Sequence, residues 1–316
     1  MSSLHTRSDI WVTRLKRWTR NEDVITAAGD STSVVDTDLI LHYLNEGKQI
    51  IEGEIGKVYP NHNAKFYTET ISSRLLEFPI PEEALNDNKI IRVDYSLTDD
   101  NKKYYKLLSR HMDSFKYSEG APEFYYLTKG NMVAEPCPSS GYYRFLVQAR
   151  DDRLDVRRGS VELAPEVSGG EMVSITLLDT DGLLTTENVE ALEAAEYVCV
   201  CDFEGNVVAY NIPVASYDES NDKLIMRAGY EYSSGISIGD YVTIGRRTST
   251  HSKLPAETEK YYVEWAKLRI LNHDSNTDVI IESPLLQALQ ESIISSLADI
   301  DDPTEIPIDG HLTGNW

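Results

Sequence analysis

Cysteine is scarce in this 316-residue chain: only Cys137, Cys199 and Cys201 occur. The last two stand one residue apart in an apolar run, so on a strand they share a face, yet no further Cys or His stands at the spacing a zinc site needs. Three such thiols read as small buried side chains in a reducing compartment rather than as a disulfide framework. Long apolar runs are missing too. None approaches the roughly 18 residues of a membrane-spanning helix. Arg14, Lys16 and Arg17 interrupt the N-terminal segment where a secretory leader would carry its apolar core. Together these absences predict a chain made in the cytoplasm, without a membrane as partner.

Positive charge is also in short supply. Against 52 acidic residues stand 30 basic ones, a formal net charge of -22. Tight nucleic-acid binding draws most of its affinity from Lys and Arg on phosphates, so such binding is not expected. An acidic surface can still face DNA and let it slide past. Signature motifs of catalysis are absent as well: there is no GxGxxG after a strand, no GxxxxGK[ST], no HExxH and no GxSxG. The seven histidines, His42, His62, His111 and His251 among them, lack metal-like spacing. Asp179, Asp181 and Gly182 resemble a fragment of a calcium loop, but the third acid and the distal Glu are missing, and a type I′-like turn explains them. Asp99-Asp100 and Asp301-Asp302 are adjacent carboxylates of the kind any acidic surface carries. The expectation is a chain without catalytic residues, metal or cofactor, and a hydrolase with no recognisable motif stays open as an alternative.

What is present is ordinary globular composition, 41% hydrophobic and 26% charged, long enough for two or three domains. In the basic first twenty residues Trp11, Leu15 and Trp18 recur at helical spacing. They predict a helix that docks on an acidic partner or packs on its own domain. A polar loop over 21–36 ends at Asp36 or Thr37 as N-cap. From there Leu39, Ile40, Tyr43, Leu44, Gly47, Ile50, Ile51, Ile55 and Val58 trace a 3.6-residue stripe until Pro60. The middle changes period. "KIIRVDYSL", a hairpin-like stretch around Gly130 and "YYRFLVQAR" read as strands, with Pro79 and Pro81 keeping their segment off the centre of any sheet. Between about 166 and 249 lie five further strands, a three-residue turn at Glu204-Gly205-Asn206 and one short Thr-capped helix, the inventory of a small barrel. Helices return over 257–272 and 284–299. Because an amphipathic helix must bury its stripe, the two ends of the chain are expected to meet.

Nineteen tyrosines against six phenylalanines is an unusual balance. Tyr combines contact area with a polar tip, which suits surfaces buried on association. Tyr104, Tyr105, Tyr125, Tyr126, Tyr142 and Tyr143 are therefore candidate subunit contacts, each pair on a strand sending one ring inward and one outward. Ordinary core and rim packing is the competing explanation. In the C-terminal tail, 300–316, Ile306, Ile308, Leu312 and Trp316 are candidate anchors of an arm reaching a neighbouring subunit, or belong to a frayed end.

The ordered elements, namely "TDLILHYLNEGKQIIEGEIGKVYP", "LLEFPIPEEAL", the block "GAPEFYYLTKGNMVAEPCPSSGYYRFLVQAR" and "KLPAETEKYYVEWAKLRILNHD", resemble the head-to-tail connector, or adaptor, proteins of tailed bacteriophages. The family's hairpin pattern would fall on Pro122, Tyr125, Leu127, Gly130, Val133, Pro136 and Pro138. The resemblance covers about 37–165 and 250–299 and leaves out the insertion and both tails. It implies a virion structural protein of the neck or tail region. The protein would form a homo-oligomeric ring, a dodecamer by the family's habit, that binds the portal protein and other tail or ring proteins and encloses the DNA exit channel. An attachment or carbohydrate-binding module of the tail is the alternative. The expected fold is α+β. Its helical layer comes from N- and C-terminal helices (core 37–165 plus 250–299), with a β-sandwich-like middle and an inserted small β-barrel at 166–249, between a basic segment at 1–36 and a C-terminal tail at 300–316.

Overall fold

The computed structural model describes residues 6–21, 36–59, 61–72, 77–81, 84, 89–100, 103–110, 118–128, 130–232, 235–271 and 283–298. It is mixed α+β, with five α-helices among these residues and several antiparallel sheets, none closed into a barrel by its strands. The chain divides into two compact units, residues 1–51 with 151–316, and residues 52–150. The division thus falls near 51 and 150 instead of near 165 and 249. A polar seam at 151–158, described below, ties the second β-rich stretch to the helices of its unit.

The unit at 52–150 contains β1 (Ala64–Ile71), β2 (Phe78–Pro79), β3 (Ile90–Ser96), β4 (Tyr105–Lys106), β5 (Leu108–Ser109), β6 (Phe124–Thr128), β7 (Asn131–Glu135) and β8 (Gly141–Gln148). They form two four-stranded sheets, ordered β1-β8-β3-β4 and β2-β7-β6-β5. Alternation along β8 buries Tyr143, Phe145 and Val147 and leaves Tyr142, Arg144 and Leu146 half-buried on the opposite face, as a period of two requires. Both sheets feed one apolar cluster, Val93, Tyr95 and Phe145 from the first, Phe78, Tyr125, Met132 and Ala134 from the second. The ring of Phe78 stacks on Phe145 at 6.2 Å and meets Tyr143 edge-on at 5.1 Å. Pro79 lies on an edge strand, where its missing N–H costs no ladder bond. Gly130 closes the β6–β7 hairpin with φ of 78°, a conformation open to glycine.

In the other unit α1 (Ser8–Asn21) and α2 (Thr37–Val58), the latter running on past Ile51 into the 52–150 unit, come from the N-terminal side. α3 (Thr186–Glu193) lies within the β-rich stretch, and α4 (Glu259–Leu271) and α5 (Pro284–Ala298) from the C-terminal side. Val12 and Leu15 of α1, Ile40, Leu41 and Leu44 of α2, and Tyr262, Val263 and Ala266 of α4 share one buried cluster with Leu154 and Val156. The basic first helix therefore packs on its own unit, and the two ends of the chain do meet. Trp265 is fully buried against Gly47, where an added Cβ would come within 2.7 Å of the indole. The indole N–H donates to Glu46 Oε2 at 3.0 Å, which also accepts from Arg269 Nε at 3.1 Å. α5 lies against α4 and buries Leu286, Ile293 and Leu297. Gly53 in α2 has open space around it. Gly53→Ala should therefore stabilise the chain by about 0.5–1 kcal/mol in urea unfolding, through helix propensity alone.

The β-rich stretch of this unit holds β9 (Arg153–Leu154), β10 (Gly159–Ser160), β11 (Glu166–Ser168), β12 (Glu171–Thr176), β13 (Tyr197–Cys201), β14 (Val207–Asp218), β15 (Lys223–Met226), β16 (Tyr241–Ile244) and β17 (Thr248–Ser249). Seven of them form one sheet, β10-β16-β13-β14-β15-β12-β11, around a core that includes Ile175, Leu177, Val198, Val200, Ile212, Leu224 and Val242. β9 and β17 make a separate parallel pair. Beyond β10 the chain bridges Val161 to Leu177, flanked by Glu162 N–H to Thr176 O at 2.9 Å and Leu178 N–H to Ser160 O at 2.8 Å. The β13–β14 hairpin turns at the expected Glu204-Gly205-Asn206, with Asp202 Oδ1 accepting from the N–H groups of Glu204 and Asn206. Thr185 caps α3, its Oγ1 accepting from Asn188 N–H. The Asp179-Asp181 segment is a 3₁₀ turn ended by Gly182 at φ 72°, not the expected type I′-like turn. Asp181 Oδ1 holds the exit by accepting from Leu183 N–H at 2.9 Å.

Candidate interaction face

The outward face of sheet β1-β8-β3-β4 is built by register. Thr68 opposes Arg144 and Phe66 opposes Leu146 on one side of β8, while Asp94 opposes Arg144 on the other. This brings two arginines onto one aromatic ring, Arg144 at 4.7 Å and Arg92 at 5.4 Å from the centroid of Phe66. Arg144 also lies 4.4 Å from the ring of Tyr104. Asp94, buried, accepts from Arg144 at 3.0 Å and is 3.0 Å from Arg92 Nε. Two guanidiniums share the Asp94 carboxylate, while Phe66 remains 52% exposed.

The candidate tyrosines separate by burial. Tyr125 and Tyr143 are buried in the core, where desolvation raises both phenols above the ordinary value, so neither is available as a surface contact. Tyr126 and Tyr142 are their half-buried outward partners. The 104–105 pair departs from that rule, since Tyr104 is half-buried and Tyr105 exposed. Tyr105 lies at the edge of Tyr95 and donates to Pro122 O at 3.0 Å, which leaves its ring over the core margin. The tail candidates Ile306, Ile308, Leu312 and Trp316 lie outside the described residues, as does most of the 21–36 loop.

Cys199 and Cys201 are both buried, as their shared strand predicts, and desolvation pushes the Cys201 thiol up to about 12, so it is inert. Among the described residues no group of three or more His, Cys, Asp or Glu could hold a metal. A cleft of about 420 Å³ in unit 52–150 is lined by Tyr95, Leu97, Glu119, Cys137, Ser139 and Ser140 among others. Among the described residues that line it, Glu119 carries the carboxylate.

The polar seam of the other unit was not legible beforehand. Asp151 binds Lys48 Nζ at 2.9 Å and accepts from Ser252 Oγ and Lys253 N–H, both at 2.9 Å. Asp152 accepts from Tyr210 OH at 2.9 Å and Lys253 Nζ at 3.2 Å, with Arg247 at 3.5 Å. Arg158 joins Asp155 at 2.9 Å to Asp38 of α2 at 2.8 Å, and Ile244 N–H donates to Asp155 at 2.6 Å. The seam fastens α2 to the strands of its unit. No protein-family model matches the chain, and no curated protein matches it.

Proposed function

We propose that this chain is a structural, non-catalytic subunit of the head-to-tail connector ring of a tailed bacteriophage. It would bind the portal protein and help form the channel through which DNA leaves the capsid. The observation that carries this reading is the helical layer of α1, α2 and α4, assembled from both sides of the sequence with the seventeen strands of the described residues lying between α2 and α4 in sequence. The hairpin at Gly130 and its flanking strands agree with the block on which the resemblance rests.

Charge supports the same reading. Residues 52–150 hold 14 acids and 13 bases, while the rest of the chain holds 38 acids and 17 bases. A unit with so large a negative excess repels a passing phosphate backbone, and the near-neutral unit carries the aromatic and arginine face suited to protein contact. On this reading the two four-stranded sheets with their common core are a sandwich-like module. The stretch around 166–249, in which the Val161–Leu177 bridge links the continuation of β10 to that of β12, is a barrel-like module offered to further tail proteins. Mixing the purified chain with the portal protein and imaging by electron microscopy tests the proposal. Rings seated on portals are expected; portals that stay bare at micromolar chain would defeat it.

A further inference from the structure

β1 is an eight-residue strand at the end of its sheet, paired only with β8 among the described residues. The phase of its free edge can be fixed. Ala149 N–H donates to Asn63 O at 3.0 Å, so odd-numbered residues of this strand direct their backbone groups to β8 and even-numbered ones direct theirs outward. Ala64 N–H is taken by Asn61 O, and among the described residues Phe66, Thr68 and Thr70 present an unpaired N–H and C=O row beside the exposed Phe66 ring. Such a row is a template for another strand.

The sequence of the C-terminal segment has a matching period. Over 299–309 the odd positions are Asp299, Asp301, Pro303, Glu305, Pro307 and Asp309, and the even ones include Ile300, Thr304, Ile306 and Ile308. Both prolines share one parity. A strand whose odd residues face away from its partner loses no ladder bond to either proline, while Thr304, Ile306 and Ile308 keep their N–H groups for pairing. Directly opposed residues of an antiparallel pair have side chains on the same face, so Ile306 and Ile308 would fall beside Phe66. In that pairing Asp301, Glu305 and Asp309 would fall on the face of β1 that carries the exposed Lys65, and Asp302 on the face of Arg92 and Arg144; the segment 299–316 holds no Lys or Arg.

We infer that residues 299–309 of a second copy of this chain add antiparallel to the free edge of β1, with Thr304, Ile306 and Ile308 forming the ladder. This deepens the ring reading above by naming one contact between subunits, but depends on strand chemistry alone. The test is sedimentation velocity on the full chain across concentration. The native chain should self-associate. Ile306→Pro and Thr68→Pro, the latter removing an outward N–H and no bond to β8, should each weaken association about tenfold, one lost ladder bond, with the urea midpoint of each variant checking that the fold is kept. Glu305→Pro, in the parity of the existing prolines, should change it less than about threefold. Hydrogen exchange should show concentration-dependent protection of the Phe66, Thr68 and Thr70 amides. A native chain that stays monomeric, or equal effects of Ile306→Pro and Glu305→Pro, overturns the pairing. Were portals still to bind rings in that case, the pairing alone would be lost and the connector reading kept.

Discussion

Lys48→Met will destabilise the helical unit by about 3–5 kcal/mol, the range for removing one partner of a buried ion pair. Lys48 and Asp151 have side chains only 3% and 1% exposed, 2.9 Å apart. Methionine fills the volume of the lysine stem but takes the ammonium from the carboxylate, leaving neutral donors such as Ser252 Oγ and the Lys253 and Asp152 N–H groups against the cost of its desolvation. Urea unfolding followed by tryptophan fluorescence measures the loss. Adding Asp151→Leu to Lys48→Met should restore most of it, since no charge then remains buried. The residue left is on the order of 1–3 kcal/mol, from the Ser252, Lys253 and Asp152 donors stripped of their acceptor. Acid unfolding gives an independent reading. Burial by itself would raise the Asp151 carboxyl, but the Lys48 ammonium and the Lys253 and Ser252 donors outweigh it and hold the group below the ordinary carboxylate value of about 4. A carboxyl lowered on folding contributes stability that is complete above the unfolded pKa and is lost as pH falls through the folded one. The native chain should therefore resist acid to a lower pH than Lys48→Met. Identical acid midpoints would show that the pair contributes nothing.

Trp265→Ala should cost about 3–5 kcal/mol, the range for emptying a large aromatic from a closed core. The indole is fully buried, packs on Gly47 and donates to Glu46, so truncation opens a cavity and also removes one of the two donors that Glu46 accepts from. The same contact reverses a familiar rule at its partner. Alanine normally improves a helix interior, yet at Gly47 a methyl would stand 2.7 Å from Trp265 Cβ and Cγ, and Gly47→Ala should destabilise by about 1–3 kcal/mol. Paired with Gly53→Ala on the same helix, which should stabilise, the two substitutions should move the urea midpoint in opposite directions. Movement in the same direction would mean that α2 and α4 do not close at Gly47.

The helices were legible because each carries its own signals. The stripe from Leu39 to Val58 gave α2 its bounds, and Pro284 marked the start of α5. Hairpins announced by Gly130 and Glu204-Gly205-Asn206 were legible for the same local reason. The seam was not. Nothing within "DDRLDVRR" distinguishes its buried aspartates from solvated ones, because Lys48, Arg247 and Lys253, which pair with Asp151 and Asp152, stand about a hundred residues away in the chain, and an Asp155–Arg158 spacing is as common on a solvated surface. Paired tyrosines were half legible. Alternation placed 125–126 and 142–143, but at 104–105 the strand is only two residues long and alternation has no length over which to act. Tyr261 and Tyr262, on helix α4, are both buried. The arginine ladder on Phe66 depends on register between β1, β8 and β3, which no spacing within one strand reveals.

The short parallel ladder of β9 and β17 bears on how this protein can be altered over evolutionary time. Arg153 N–H reaches Arg247 O at 2.8 Å and Asp155 N–H reaches Ser249 O at 3.0 Å, so the chain enters and leaves the stretch between them side by side and pointing the same way. Everything from about 156 to 246 is thus a cassette that could be swapped for another module without parting its two ends. Its replacement has one constraint. Parallel neighbours cannot be joined by a tight hairpin, so any substitute, however small, must contain a crossover that runs back along the ladder before it re-enters.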